Sequence, residues 1–387
     1  MIKTKVWLPQ YYNKFQCKTT KCKDNCCTQW RIVIDKSTYD KYLSLADDIK
    51  KDIYKNIRVI SEAPFSALIT KSENGRCSFQ DENGLCKIHA RLGAEYLGDT
   101  CKWYPRKICD TGGELEAYLE VSCEAAADLI LFEQDTITLE SGELETEQPI
   151  PPARLLEPYK YTSANNAVDV FHLLRAISLM ILQSRQQSLK LRLFILGLFI
   201  SQMSGLLRVC PEGSDREILK QTGAFVGKLE SGIYNELDEQ VTRVVDLSID
   251  FIIGMIRTFK EKNNTGMNRN LDQACEGLGL ALTGVSPGDI QELCRKGYEM
   301  HLADKEYIFE NHLVNHLLSE GFPFNHRYRD NIMKNYQELL IKYNLVKFLL
   351  VGACIYNNSF DRREMVACIS SFSRLFDHHT LGALVIK

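Results

Sequence analysis

What this chain lacks narrows its function first. It has no basic excess: 47 Lys and Arg against 50 Asp and Glu leave a formal net charge of −3, whereas tracking a phosphate backbone relies on surplus cations. Nucleic acid is therefore not an expected partner. Behind its first lysines, "MIKTKVWLPQYYNKFQC" holds no apolar run of the kind that marks a secretory leader. A cytoplasmic location is the expectation. The longest apolar stretch, "LFILGLFISQMSGLL", runs from Leu193 to Leu207 between Arg192 and Arg208 and is broken by Ser201 and Gln202. It falls short of the ~20 residues that span a bilayer, so a buried helix is expected there and no membrane partner. A glycine-rich turn between a strand and a helix, the dinucleotide-binding signature, is also missing. The nearest approach, "EGLGLALTG" at 276–284, stands in helical surroundings with no preceding strand.

What is present is a chain of 387 residues, longer than the ~250–300 at which a single core stops growing, so at least one domain boundary is expected. Hydrophobic residues at 45% and charged residues at 25% exclude wholesale disorder and a fibrous repeat. Cysteine is the anomaly. Of 14 in the chain, nine fall in the first 123 residues. A reducing cytosol discourages disulfides, so a local cluster in an unexported chain points to a metal or an iron–sulfur cluster.

Along the chain, "DKSTYDKYLSLADDIKKDIYKNIRVI" from Asp35 to about Ile60 has helix formers at three-to-four spacing, with Asp35 or Ser37 as N-cap, and predicts one helix. Further on, "RCSFQDENGLCKI" places Asn83-Gly84 between two short strand-like segments, a small hairpin with Cys77 before the turn and Cys86 after it. "GGELEAYLEVSC" reads as a strand and "EAAADLILFEQ" as a helix with Cys123 at its start. The acidic, proline-containing stretch 135–162 reads as a linker or surface excursion. Beyond it, helical periodicity marks segments near 165–184, 187–209, 215–230, 233–262, 288–302, 305–320 and 328–357. The expected fold class is α+β, mainly α. Residues 1–134 form a small cysteine-rich metal-binding domain with a short hairpin, 135–162 a linker, and 163–387 an all-α domain.

The candidate ligands run Cys17-x4-Cys22-x3-Cys26-Cys27, Cys77-x8-Cys86-x2-His89, Cys101 and Cys123. Short spacings let two thiolates converge on one ion from a single loop, while a distant pair closes the site. Adjacent side chains diverge, so Cys26 and Cys27 are not expected on the same ion. His89 is not required, since thiolates usually supply all four bonds to a cluster. The isolated Cys210, Cys275, Cys294, Cys354 and Cys368 read as small buried hydrophobes.

The runs "FQCKTTKCKDNCCTQWRIVIDKSTYDKY", "CSFQDENGLCKIHARLGAEYLGDTCKWYPR" and "LEVSCEAAADLIL" resemble the flagellin lysine-N-methylase family, which is built on a zinc- or iron-chelating cysteine domain. The resemblance covers about the first 133 residues by motif. It implies methylation of flagellin surface lysines with S-adenosylmethionine as donor, and an iron–sulfur cluster, of the 4Fe-4S type, with zinc as the alternative. The metal ligands would be Cys17, Cys22, Cys26, Cys27, Cys77, Cys86, Cys101 and Cys123. The Cys-x3-Cys-x2-Cys spacing of radical enzymes is absent, Gln29 standing in the required place. A donor pocket would therefore be of an unfamiliar kind, between the cysteine domain and the helices. Rings attract both a sulfonium and an alkylammonium, which makes Tyr11, Tyr12, Trp30, Trp103 and Tyr104 candidates, although packing over the metal is the commoner role of such aromatics. Arg106 could grip the donor's carboxylate or fix a carboxylate of the fold. Trp30, Tyr104 and Arg106 are the expected cofactor-binding residues. The alternative to an enzyme is a non-catalytic zinc- or iron-binding interaction module.

Overall fold

The computed structural model describes every residue except 1, 19–20, 23–26, 28–30, 63–64, 73–74, 147–152, 155–166, 210–214, 238–240, 261–264, 281–285, 326–327, 329–330 and 378–387. The chain is mainly helical, with its small sheets in the N-terminal part.

The first sheet starts with β1 (Ile2–Pro9), whose alternation buries Val6 and Leu8. β1 pairs antiparallel along its whole length with β7 (Leu139–Thr146), from Ile2↔Thr146 to Pro9↔Leu139. On its other side it meets β6 (Leu115–Leu119) in parallel at Trp7↔Glu116. β6 forms a hairpin with β5 (Arg106–Asp110), and β8 (Ala153–Arg154) closes the order β7-β1-β6-β5-β8. The β5–β6 turn is made by "DTGGE": Asp110 Oδ1 accepts from the Gly112 and Gly113 amides at 3.0 and 2.8 Å, and both glycines hold positive φ, which a β-carbon would oppose. Residues 139–146, expected in a linker, are thus an edge strand. Few of its side chains are apolar, and carboxylates such as Glu143 and Glu145 face Lys3 across the strand pair.

The second sheet is antiparallel, β2 (Val33–Asp35), β4 (Phe65–Ile69) and β3 (Ile57–Glu62), ordered β2-β4-β3. The single helix expected over 35–60 is divided into α1 (Lys36–Leu43) and α2 (Asp47–Lys55), after which the chain turns into β3. β-branched residues in "IRVISE" favour the pleat over another helical turn. Asp35 does cap α1, accepting from the Thr38 amide at 2.8 Å, and it also accepts from the Asp99 amide at 3.0 Å. That second bond fixes the start of α4 (Asp99–Trp103), which carries Cys101. The expected hairpin around Asn83-Gly84 is reduced to two isolated bridges, Lys71↔Cys77 and Gln80↔Cys86, with Gly84 at positive φ; α3 (Lys87–Leu92) follows.

α5 (Glu124–Leu131) begins on Cys123 as expected. Of the seven helical segments expected beyond residue 163, six correspond to α6 (Ala167–Leu182), α7 (Leu189–Val209), α8 (Asp215–Glu230), α11 (Pro287–His301), α12 (Glu306–Ser319) and α13 (Ile332–Asn357), whereas of the expected 233–262 only α9 (Ile249–Lys260) is an α-helix, preceded by turns and a short 3-10 helix at Val241–Val245. Two further helices, α10 (Thr265–Gly277) and α14 (Arg362–Asp377), have no counterpart among those expectations. α13 is the central helix, buried over most of its length. Where α10 crosses it, a β-carbon on Gly277 would stand 2.2 Å from the Gly352 carbonyl oxygen, so small residues set that approach. By length and composition α7 and α13 could each cross a bilayer; in this fold the apolar window of α13 is mostly buried and that of α7 half buried.

The apolar cores divide the molecule differently from the sequence. Val6, Leu8, Tyr11 and Tyr12, with Ile108 to Leu131, share one large core with the C-terminal helices. A second, small core contains Ile32, Ile34, Tyr42, Ile53, Ile57, Ala67, Cys77, Phe79 and Ile88.

Candidate functional site

The expected metal ligands separate into groups. Cys77 lies in the small core, and Cys27, Cys86 and Cys101 pack against it. Cys77, Cys86 and Cys101 have Tyr42 as a neighbour, whose hydroxyl donates to the Tyr96 carbonyl at 2.7 Å. Burial raises the Tyr42 phenol, and negative charge on Cys101, Cys86, Asp35 and Cys77 acts in the same direction, so three sulfurs lie within electrostatic reach of one oxygen. The Cys27 carbonyl accepts from the Cys77 amide at 2.8 Å. Elsewhere, Cys17 is exposed and Cys22 half-buried. Cys123 packs against the large core. Cys26 and Trp30 lie outside the described residues. Among the described residues no three His, Cys, Asp or Glu side chains are arranged to hold one ion. Thiols are the donors that soft metals and clusters take, but no closed coordination geometry is displayed among the described residues. His89 is exposed on α3.

The other expected residues are placed as follows. Arg106 lies over the Phe15 ring at 5.0 Å and its charge acts on the Tyr12 phenol, which burial nonetheless pushes up to about 12. Its visible work is to fasten the segment after β1. Tyr11 is wholly buried and donates to Asn315 Oδ1. Tyr104 bonds the Ser122 hydroxyl at 3.0 Å. Burial first, and then the negative charge of Cys123, hold its phenol well above the usual range.

Ser122 leads to a polar cavity that sequence reasoning missed. It has a volume of about 180 Å³ and lies between the β5–β6 hairpin and helices α12, α13 and α14. Lys107 enters from β5 and Glu120 follows β6; α12 supplies His312 and His316, α13 supplies Lys342, and α14 supplies Ser373 and Asp377. Lys107 pairs with Glu320 at 2.6 Å. Burial disfavours both charges, but the pairing outweighs it, holding the Lys107 ammonium above its usual value and the Glu320 carboxyl down at about 2. Lys342, 1% exposed on its side chain, donates to His316 Nδ1 at 2.8 Å and is ion-paired with Asp377. Both imidazoles are held neutral, by burial and then by the Lys342 charge: His312 falls to about 4 and His316 well below its ordinary value. The signal for this site was polar residues on otherwise apolar helices, His312 and His316 one turn apart on α12 and Lys342 inside "LLIKYNLVKFLL".

These shifts set a pH dependence. An imidazole whose native pKa lies below its unfolded value takes up its proton only on unfolding, so stability is full above the unfolded value near 6.5 and is lost as pH falls from there towards 4. Over that window His312 alone should cost about 3 kcal/mol. Glu320 acts in the same sense at lower pH, its contribution being lost between about 4.5 and 2. Urea unfolding measured from pH 7 to pH 4 should show this slope. His312→Gln should flatten it, and equal slopes in the two proteins would contradict the assignment.

The comparisons with known proteins bear on the helical part of this cavity. A family model described as the FliB lysine N-methylase C-terminal domain matches residues 175–382, the stretch that contains α12, α13 and α14. Proteins named lysine-N-methylase from Salmonella typhimurium and Salmonella choleraesuis are each 29% identical over 134 residues, 34% of this chain and 33% of theirs. A flagellar biosynthetic protein FliU from Salmonella muenchen is 29% identical over 134 residues, 34% of this chain and 79% of its own. The chain thus matches about a third of the length of those two methylases. No solved structure matches. Since the matched domain occupies more than half of the 387 residues, the chain belongs to the family defined by the FliB lysine N-methylase C-terminal domain.

Proposed function

We propose that this chain is a protein-lysine N-methyltransferase that transfers methyl groups from S-adenosylmethionine to surface lysines of flagellin in the cytoplasm. A cysteine-held iron–sulfur cluster would belong to its small core. The observation that carries the reading is the family match over 175–382, supported by the names of the relatives, lysine-N-methylase and flagellar biosynthetic protein FliU. The thiols of Cys27, Cys77, Cys86 and Cys101 supply a soft donor set in one place. Cys17, Cys22, Cys26 and Cys123 are retained as further candidate ligands. A cluster bound there would chiefly stabilise the small lobe, and no step of transfer is assigned to it.

In the reaction, the lone pair of a neutral lysine amine attacks the sulfonium methyl, the carbon–sulfur bond breaks towards sulfur, and the new ammonium sheds a proton to water. A free lysine near pKa ~10.4 is protonated at neutral pH, so the acceptor must lose a proton before it reacts. Desolvation at a docking surface favours this, and holding amine and methyl near contact supplies much of the rate.

One observation favours the second reading, a non-catalytic metal-binding interaction module. The larger sheet, ordered β7-β1-β6-β5-β8 with antiparallel pairs, is not a doubly wound parallel sheet, so the usual donor platform is not what these strands build. The two readings separate in one assay. Anaerobically purified protein, incubated with flagellin and methyl-labelled S-adenosylmethionine, should place label on lysine. An intact chromophore with no label on flagellin would remove the enzyme reading and leave the module.

A further inference from the structure

We infer that the polar cavity between the β5–β6 hairpin and α12–α14 binds a zwitterionic α-amino-acid head, the methionyl end of the methyl donor. This rests on the methyltransferase reading and names the donor subsite that the sequence leaves open.

Two observations show that the cavity is built for a ligand. Ser373 is wholly buried and lines the cavity, yet its Oγ has no hydrogen-bond partner among the described residues, whereas most buried hydroxyls in proteins have one. Lys342 carries three N–H donors, of which His316 Nδ1 and the Asp377 carboxylate take two. A ligand oxygen placed between Lys342 and Ser373 would satisfy both groups.

The charge pattern selects the ligand class. Lys107 and Lys342 contribute two positive charges, and Glu120, Glu320 and Asp377 three negative ones. The depressed histidines add none. A lone anion would meet three carboxylates in the lining, and a lone cation would leave the Lys342 and Ser373 donors unanswered. A zwitterion meets both: its carboxylate faces Lys342 and Ser373, and its ammonium faces carboxylates on the other walls, each of which can accept several hydrogen bonds. Size agrees. About 180 Å³ gives room for an amino-acid head. The adenosine would extend outwards past Ser122 and its bonded partner Tyr104.

The test compares ligands that differ only in that head. S-adenosylhomocysteine carries it and 5′-methylthioadenosine does not. Titration calorimetry on the full, anaerobically purified chain should show the first binding at least about 100-fold more tightly, as expected for several charge-assisted contacts. Ser373→Ala should lower the affinity for S-adenosylhomocysteine about ten-fold and leave that for methylthioadenosine unchanged. Because it deletes an unpartnered buried hydroxyl, it should leave the fold as stable as before or more so. Lys342→Met should cost more, with the same selectivity between ligands. If the wild type binds S-adenosylhomocysteine and both folded variants keep its ratio to methylthioadenosine, the subsite is elsewhere and the inference fails while the donor reading stands. If the wild type binds neither ligand nor S-adenosylmethionine, the donor reading itself is overturned and the subsite with it.

Discussion

Glu310→Ala should lower the unfolding free energy by about 3–5 kcal/mol, the cost of leaving a buried charge without its partner. Glu310 is wholly buried on α12. Its Oε2 accepts from Arg192 Nη1 at 2.5 Å and its Oε1 from Arg185 Nε at 2.9 Å. Arg192, 2% exposed, also donates to the Leu182 carbonyl at the end of α6 and lies 3.7 Å from Glu306. Glu306 in turn accepts from the Leu189 amide at 2.8 Å, at the start of α7, and from the Tyr298 hydroxyl at 2.8 Å on α11. Arg185 reaches the Gln134 carbonyl beyond α5. One carboxylate therefore joins α12 to the α6–α7 connection, and its loss strands a guanidinium in the core. The exposed pairs of Arg295 with Glu292 and Glu299 on α11 make the control, since Arg295→Ala should leave the unfolding free energy essentially unchanged. Urea denaturation of the three proteins decides the matter. A loss below about 1 kcal/mol for Glu310→Ala would show that the network does not hold these helices.

That network also shows where the sequence stops being informative. Periodicity located seven helices because each has an apolar face longer than two turns. It gave no hint that Arg192 meets Glu310, 118 positions away, since an arginine at the edge of an apolar run reads equally well as a solvated flank. The α1–α2 break and β3 were hidden for a related reason: helix formers continue through Lys55, and only pairing of Ile57 and Val59 with β4 turns "IRVISE" into a strand. β7 was missed because its partner supplies what it lacks, Lys3 answering Glu143 and Glu145. The cavity is the extreme case. Its walls come from positions 107, 120, 312, 316, 342 and 373, of which only the two on α12 are close in sequence. Of the eight cysteines singled out, Cys27, Cys77, Cys86 and Cys101 pack on one small core although 50 positions separate the first two, and the Asp35 bond to the Asp99 amide anchors the helix that carries Cys101.

The small core is also where metal loss should have the largest effect. Among the described residues this core has nine buried members, and lobes with small cores usually depend on a metal or cross-links. On the proposed function, cluster binding supplies the missing folding energy, because a site assembled only in the native state returns its binding energy as stability. Cys77→Ser and Cys101→Ser should therefore abolish the absorbance of an iron–sulfur cluster and leave residues 31–101 open to limited proteolysis, with the helical part still folded. Iron chelation of the wild type should reproduce the same cleavage. Cys275→Ser provides the contrast. Its thiol lies on α10 against the large core, raised by burial and then lowered in part by Lys260, as befits a side chain that packs. This variant should keep its colour and iron content. Equal iron in all three variants would mean that the sulfurs around Tyr42 bind no cluster, and burial alone would then have to explain why three of them gather there.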